Sequence, residues 1–214
     1  MSSEATWQER AVDRSLREAR AKALKTSGRF LDAASRLLAE TGRIDFTLQE
    51  VVDRSGQSIR AFYQHFAGKD ELLLALFEDV MVSFAADLRA EVDKHEKPIN
   101  RLEAYVRRFH LLVEAAEGAG ARALGAYHLQ LAQDRPNDFA TAVSPQITLL
   151  SEVIEEGVAA GQIRSDIEPA ALVLLLTQAL IFAGQLSALG IHLTGAKVSA
   201  DDRWEWVLGS VTPR

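Results

Sequence analysis

The sequence contains no cysteine. That excludes disulfides, thiolate metal sites and a cysteine nucleophile, and it fits a reducing cytoplasm, where we expect the protein to reside. The opening stretch, MSSEATWQERAVDR, has no apolar centre, so it is not a secretory signal. There is no strand pattern, fixed-period repeat or low-complexity tract, and no Pro- or Gly-rich linker separates two halves. The five histidines (His65, His95, His110, His128, His192) show no paired spacing on one helix, so no zinc motif and no metal ligands are expected. GAGARALG superficially resembles a dinucleotide loop, but it follows a helical pattern rather than a strand. Without a nucleophile elbow or a phosphate-binding loop, no catalytic residue and no cofactor are expected. An all-α enzyme would need a site assembled from distant residues.

At 214 residues the chain can bury a sizeable core as one large domain or two small ones. Hydrophobic residues make up 48% and charged residues 25%, with Leu, Ala, Glu and Arg prominent, which favours an all-α protein. The net charge of −6 is unevenly spread. Residues 1–70 hold 12 Lys/Arg against 10 Asp/Glu, whereas residues 71–214 hold 12 against 20. Seven basic side chains fall within residues 1–29 against four acidic ones. Such a front attracts phosphate, while an acidic remainder discourages nonspecific binding. A solvated helix face explains this charged arm equally well.

Phe30, Leu31, Ala34, Leu37 and Leu38 predict a helix over about 27–41, closed by Gly42. Thr47-Leu48-Gln49-Glu50 has the form of a capping box and opens a short second helix that ends at Ser55-Gly56. A third runs from about Ser58 to His65. A long helix begins at Lys69 and reaches about Lys94, with Asp70 and Glu71 where the helix dipole favours carboxylates. Further helices are expected from Pro98, over about 122–133, from Ser144-Pro145 to Gly161, from Pro169 to near Gly190, and around Trp204 and Trp206.

Two short helices about a Ser-Gly-Gln turn have the proportions of a helix-turn-helix, with the second helix placed to enter a major groove. Tyr63, His65 and Lys69 can donate to phosphate oxygens, as can the amides at the starts of the helices at Thr47 and Lys69. Arg60 can pair with a guanine edge, and Gln64 or Gln49 can read adenine. Val51, Val52 and Phe62 are better explained as core. RFLDAASRLLAETG, the Thr before the second helix, the Ser-Gly turn, AFYQHF and the Lys and Leu of GKDELL together resemble the DNA-binding region of the tetracycline-repressor (TetR) family, over about Arg29 to Leu76. The resemblance implies that Thr47, Tyr63, His65 and Lys69 hold phosphates, and that Gln49, Ile59, Arg60 and Gln64, following Ser58, face the bases. Val52 stands where the family usually has a small Ala, and Gln57 where it has an apolar residue, so Gln57 is expected to be exposed. Ile59 offers only apolar contact, as to a thymine methyl group.

The expected organisation is an arm (1–26), a three-helix helix-turn-helix domain (27–68) and, joined through the long helix, an α-helical ligand-binding and dimerisation domain (69–214). VIEEGVAAGQIRSDIEPAALVLLLTQALIFAG resembles the family's last two helices, which pair across a dimer. Leu174 and Ile181 are placed in that interface, since the run from Ala170 to Leu189 is apolar around much of its circumference. A membrane span is the competing explanation; Thr177, Gln178 and Gln185 interrupt it, so no membrane partner is expected. Candidates for a ligand cavity are Phe84, Leu88, Tyr105, Phe109, His110, Tyr127, His128, Gln178 and Phe182, each also explicable as plain core. Arg107-Arg108 offers an anionic head group a mouth, or is solvated surface. The resemblance thus implies a homodimeric regulator, typically a repressor, that binds double-stranded operator DNA and answers a small-molecule effector. An all-α small-molecule carrier without a transcriptional role is the alternative.

Overall fold

Phe30, Ala33, Ala34, Leu37 and Leu38 recur at the three- and four-residue spacing of one helix face, and all five are buried in α1 (Trp7–Thr41) of the computed structural model. The structure describes residues 6–115, 119–188 and 198–213. They divide into two compact units, Met1–Leu76 and Phe77–Arg214.

In the first unit α1 is one 35-residue helix, so the charged arm is the beginning of the same helix. Before Ser27 it is almost wholly exposed, with Trp7, Val12, Leu16 and Leu24 in solvent. Two further helices, α2 (Leu48–Ser55) and α3 (Ile59–Tyr63), pack on the α1 face. Phe62 of α3 meets Phe30 edge to face at 5.3 Å, and Phe66 meets Phe30 at 6.2 Å. Burying each such ring contributes about 1.5–3 kcal/mol. Helix α3 is shorter than expected and ends at Tyr63, because the His65 and Phe66 amides both turn back to the Phe62 carbonyl and bring Phe66 into the core. Gly56 holds φ at 65°, a left-handed conformation that closes α2 and that a side chain would strain. Val52 is buried at 5% exposure without disturbing the turn. Gln57 is half-buried rather than exposed, its amide donating to the Gly56 carbonyl at 3.0 Å.

The unit boundary falls inside α4 (Lys69–Val92). The second unit continues with α5 (Pro98–Ala115), α6 (Ala119–Asp134), α7 (Pro136–Ala159), α8 (Pro169–Ala188) and α9 (Ala200–Val211). Its core joins Leu102, Val106 and Phe109 of α5 with Leu150 and Ile154 of α7, and further layers come from α8 and from Trp204 and Val207 of α9. Trp206 is exposed.

A second expected boundary is overturned. Helix α7 does not start at Ser144-Pro145; it starts at Pro136 and runs through Pro145. Pro145 has no amide to give the Thr141 carbonyl one turn back, but the Ser144 hydroxyl donates to that carbonyl at 2.8 Å instead. The interior proline therefore orphans no acceptor, and the expected loop before it shrinks to the single residue Arg135. Among the described residues there is no strand, and no helix is long and apolar enough to cross a membrane. The expected end of α8 near Gly190, and His192, lie outside the described residues.

Candidate DNA interface and effector cavity

Helix α3 is only five residues long, yet its two sides differ completely. Phe62 is fully buried, while Ile59 is 43% and Tyr63 59% exposed, and Arg60 and Gln64 are exposed beside them. Ser58 caps the helix by accepting the Ala61 amide at 3.1 Å, which fixes the start of the exposed face. The Tyr63 ring stands edge-on to Phe62 at 5.6 Å, which leaves its phenol outward. Arg60 forms no ion pair among the described residues, so its guanidinium is available to a partner.

Around α3 lie the groups expected to hold phosphate. Thr47 caps α2 with an exposed side chain, His65 is half-buried, and the Lys69 ammonium rests 5.1 Å from the centre of the Phe46 ring, a cation–π contact that restrains it. Beside each of the two helix starts expected to bind anions, one main-chain amide is engaged by the chain's own carboxylate. The Thr47 amide donates to Glu50 Oε2 at 2.6 Å, the Thr47 hydroxyl donates to the same oxygen at 2.8 Å, and the Ala67 amide donates to Glu71. Those two bonds hold the Glu50 carboxyl below its usual pKa, so it is charged at neutral pH. Gln49, an expected base reader, donates to Asp53 Oδ1 at 2.6 Å.

The second unit holds a partly open cavity of about 210 Å³. One wall is the α4 stripe Phe77, Val80, Met81 and Phe84, spaced as successive turns of one face. Phe109, Leu112 and Val113 of α5 face it, with Leu124 and His128 of α6, Gln146 of α7 and Ile181 of α8 completing it. Phe84 meets Phe109 edge to face at 5.1 Å. His128 stands edge-on to Phe77 at 5.6 Å and against Phe139 at 4.7 Å, and burial holds its pKa below the ordinary imidazole value.

Of the residues expected to line a cavity, Phe84, Phe109 and His128 do so, and the others lie elsewhere. Leu88 is fully buried core. The Tyr105 hydroxyl donates to the Gln146 main-chain carbonyl at 3.1 Å, and burial pushes its pKa well up. His110 accepts from Arg203 Nε at 3.2 Å on Nδ1, which leaves Nε2 to carry the proton toward Glu114 at 3.3 Å; burial keeps it neutral. Tyr127 is buried beside Phe77, while Gln178 and Phe182 are exposed on α8. Ile181, expected at a dimer interface, is half-buried on the cavity wall. Leu174 is 57% exposed, and with Leu175, Gln178 and Phe182 it forms an outward stripe about two turns long. Arg107 pairs with Glu103 and Asp201, and Arg108 with Asp87, so neither is an open anion site. Among the described residues no group of three or more His, Asp or Glu is placed to hold a metal ion.

Phe77, Val80, Met81 and Gln146 were not anticipated. The α4 spacing carried a signal for the first three. Gln146 was hidden by the expected helix start at Pro145, which put it in a first turn instead of on the buried face of a longer helix.

Residues 30–76 match the family of bacterial regulatory proteins described as the tetR family. The HTH-type transcriptional regulator BetI of Brucella anthropi is 30% identical over 76 residues, 36% of this chain and 39% of BetI. BetI of Brucella canis is 29% identical over the same length. The match thus spans about two fifths of the length of these relatives. Solved structures similar over nearly the whole chain include the fatty acid degradation regulator FadR of Bacillus halodurans, with TM-score 0.68 and 17% identity over 85% of this chain and 97% of that one. FadR of Bacillus subtilis in complex with stearoyl-CoA gives 0.61 and 18% over 85% and 95%. A tetR-family regulatory protein from Rhodococcus RHA1 gives 0.61 and 21% over 88% and 97%.

Proposed function

From a chain that carries the tetR-family DNA-binding domain and shares that family's all-helical fold, we propose a ligand-responsive transcriptional regulator, a repressor that binds operator DNA as a homodimer. The carrying observation is the five-residue α3, anchored by buried Phe62 and presenting Ile59, Arg60, Tyr63 and Gln64 outward from within the matched segment. Arg60 pairs with a guanine edge, Ile59 packs on a thymine methyl, and Lys69 and Tyr63 hold phosphates on either side. The α8 stripe through Leu174 and Phe182 is covered by the same stripe of a second copy, because large apolar side chains gathered on one face are stabilised by leaving water. Two copies present two recognition helices to half-sites about 34–36 Å apart.

The effector occupies the α4–α8 cavity. The FadR of Bacillus subtilis was solved in complex with stearoyl-CoA, a ligand that carries phosphates. Here none of the described cavity-lining residues is a Lys or Arg for the phosphates, and 210 Å³ lies below the roughly 300–1,000 Å³ that drug-sized ligands need, so the effector is smaller and uncharged. Selection from random duplex DNA with the purified chain tests the reading. Enrichment of an inverted repeat supports it; no enrichment over input leaves the carrier reading in its place.

A further inference from the structure

The cavity holds a polar group with no partner among the described residues. Gln146 is only 5% exposed, it lines the cavity, and its Oε1 has no hydrogen-bond partner among the described residues. A buried amide oxygen left unpaired is costly, so such groups mark places where something else completes the bond. The Tyr105 hydroxyl cannot serve, since it is engaged by the Gln146 main-chain carbonyl. The remaining walls state the rest of the requirement. Phe77, Phe84 and Phe109 supply ring edges and faces, and none of the described lining residues carries a formal charge that could neutralise an ion. An engineered apolar cavity of 150 Å³ binds benzene, so one of 210 Å³ has room for a single ring with a short substituent.

We propose that this cavity takes an uncharged single-ring aromatic molecule bearing one hydrogen-bond donor, a simple phenol, whose hydroxyl donates to Gln146 Oε1. The proposal rests on reading the cavity as the effector site and names the chemistry that site selects. His128, the other polar group on the wall, lies with its ring between Phe77 and Phe139 and adds aromatic surface to the same face.

Titration calorimetry of the purified full chain with 4-ethylphenol, with 4-ethyltoluene (the same shape with methyl for hydroxyl) and with 4-ethylbenzoate tests it. The parent should prefer 4-ethylphenol to 4-ethyltoluene by at least about ten-fold and should not bind the benzoate. Gln146→Leu should bring the phenol/toluene ratio close to one, with a thermal unfolding scan confirming that the variant is folded. If it is not folded, the ratio in the parent still decides. Equal affinity for the two probes, preference for the benzoate, no binding of the phenol, or an undiminished preference in folded Gln146→Leu would each overturn the proposal. Operator selection without ligand bears on the regulator reading alone. A chain that selects an operator but ignores the hydroxyl loses this inference and keeps that reading, and one that prefers the phenol through Gln146 but selects no DNA does the reverse.

Discussion

Replacing Glu50 by Gln should make the protein bind DNA more tightly. The Thr47 hydroxyl, which the proposed interface assigns to a phosphate, donates to Glu50 Oε2 at 2.8 Å, and the carboxylate is ionised at neutral pH. A phosphate approaching that hydroxyl therefore meets a like charge on its far side, about 5 Å away once a hydrogen bond of ordinary length is allowed for. Two unit charges at that distance in bulk water repel by about 1.4 RT, a factor of about four in affinity per half-site at low salt. Screening over a Debye length of about 8 Å at physiological ionic strength roughly halves the exponent, leaving about two-fold. The proposed dimer would carry two such sites, so the factors multiply to about sixteen-fold and about four-fold. Glutamine still accepts the Thr47 amide and so keeps the capping box, which leaves the unfolding midpoint close to the parent's. Fluorescence anisotropy with a labelled operator and a scrambled duplex, at two salt concentrations, reads the effect. Both duplexes should gain equally, because phosphate contacts carry no sequence information. Unchanged or weaker binding by a folded Glu50→Gln protein would refute the reasoning, and so would a gain confined to the operator.

Arg60→Ala should weaken operator binding by about 1–3 kcal/mol and relax preference at one base pair, whereas Lys69→Ala should weaken all duplexes and flatten the salt slope by about one per half-site; equal losses on operator and scrambled DNA for Arg60→Ala would remove it from the readers. Leu174→Glu puts a charge into the proposed α8 pairing surface and should yield a monomer by light scattering, and an intact dimer would contradict that surface. Gly157→Ala drives a methyl carbon into Ile163 Cδ1 and to 2.8 Å from its Cγ1, and Ile163 is only 2% exposed. Urea denaturation should show a loss of about 1–3 kcal/mol, and an unmoved midpoint would show that the core yields more easily than its packing implies.

How much of this was legible in the sequence varied with the kind of signal. The α2–turn–α3 segment was, because each feature there has a local chemical cause: a Thr and Glu three apart cap a helix, and Gly56 fills a left-handed position. The phase of α8 was not. Ile181 and Phe182 are adjacent and both apolar, and about 100° of rotation separates the cavity wall from the outward stripe. A run apolar on all sides carries no moment to set that rotation, so Ile181 was expected at the interface and Phe182 in the cavity, whereas Ile181 lines the cavity and Phe182 is exposed on the outward stripe. Pro145 misled because its rescue depends on the preceding Ser144 hydroxyl, a compensation visible only once the helix is built. The engagement of the Thr47 amide by Glu50 followed from the capping box itself, and it qualifies the anion site expected at the same place.

Both Lys69 and the cavity-wall residue Phe84 belong to the one helix α4, and the proposed switch runs through it. An effector that fits better when this helix is displaced lowers DNA affinity by its own differential affinity for the two states, and a coupling of about 1–3 kcal/mol gives a 5- to 150-fold change. Titrating the cavity's small-molecule occupant against free protein and against operator-bound protein measures that coupling directly. A repressor released by its effector predicts weaker effector binding to the DNA complex, by the same factor by which the effector weakens DNA binding; identical affinities for the two forms would contradict a switch of this kind.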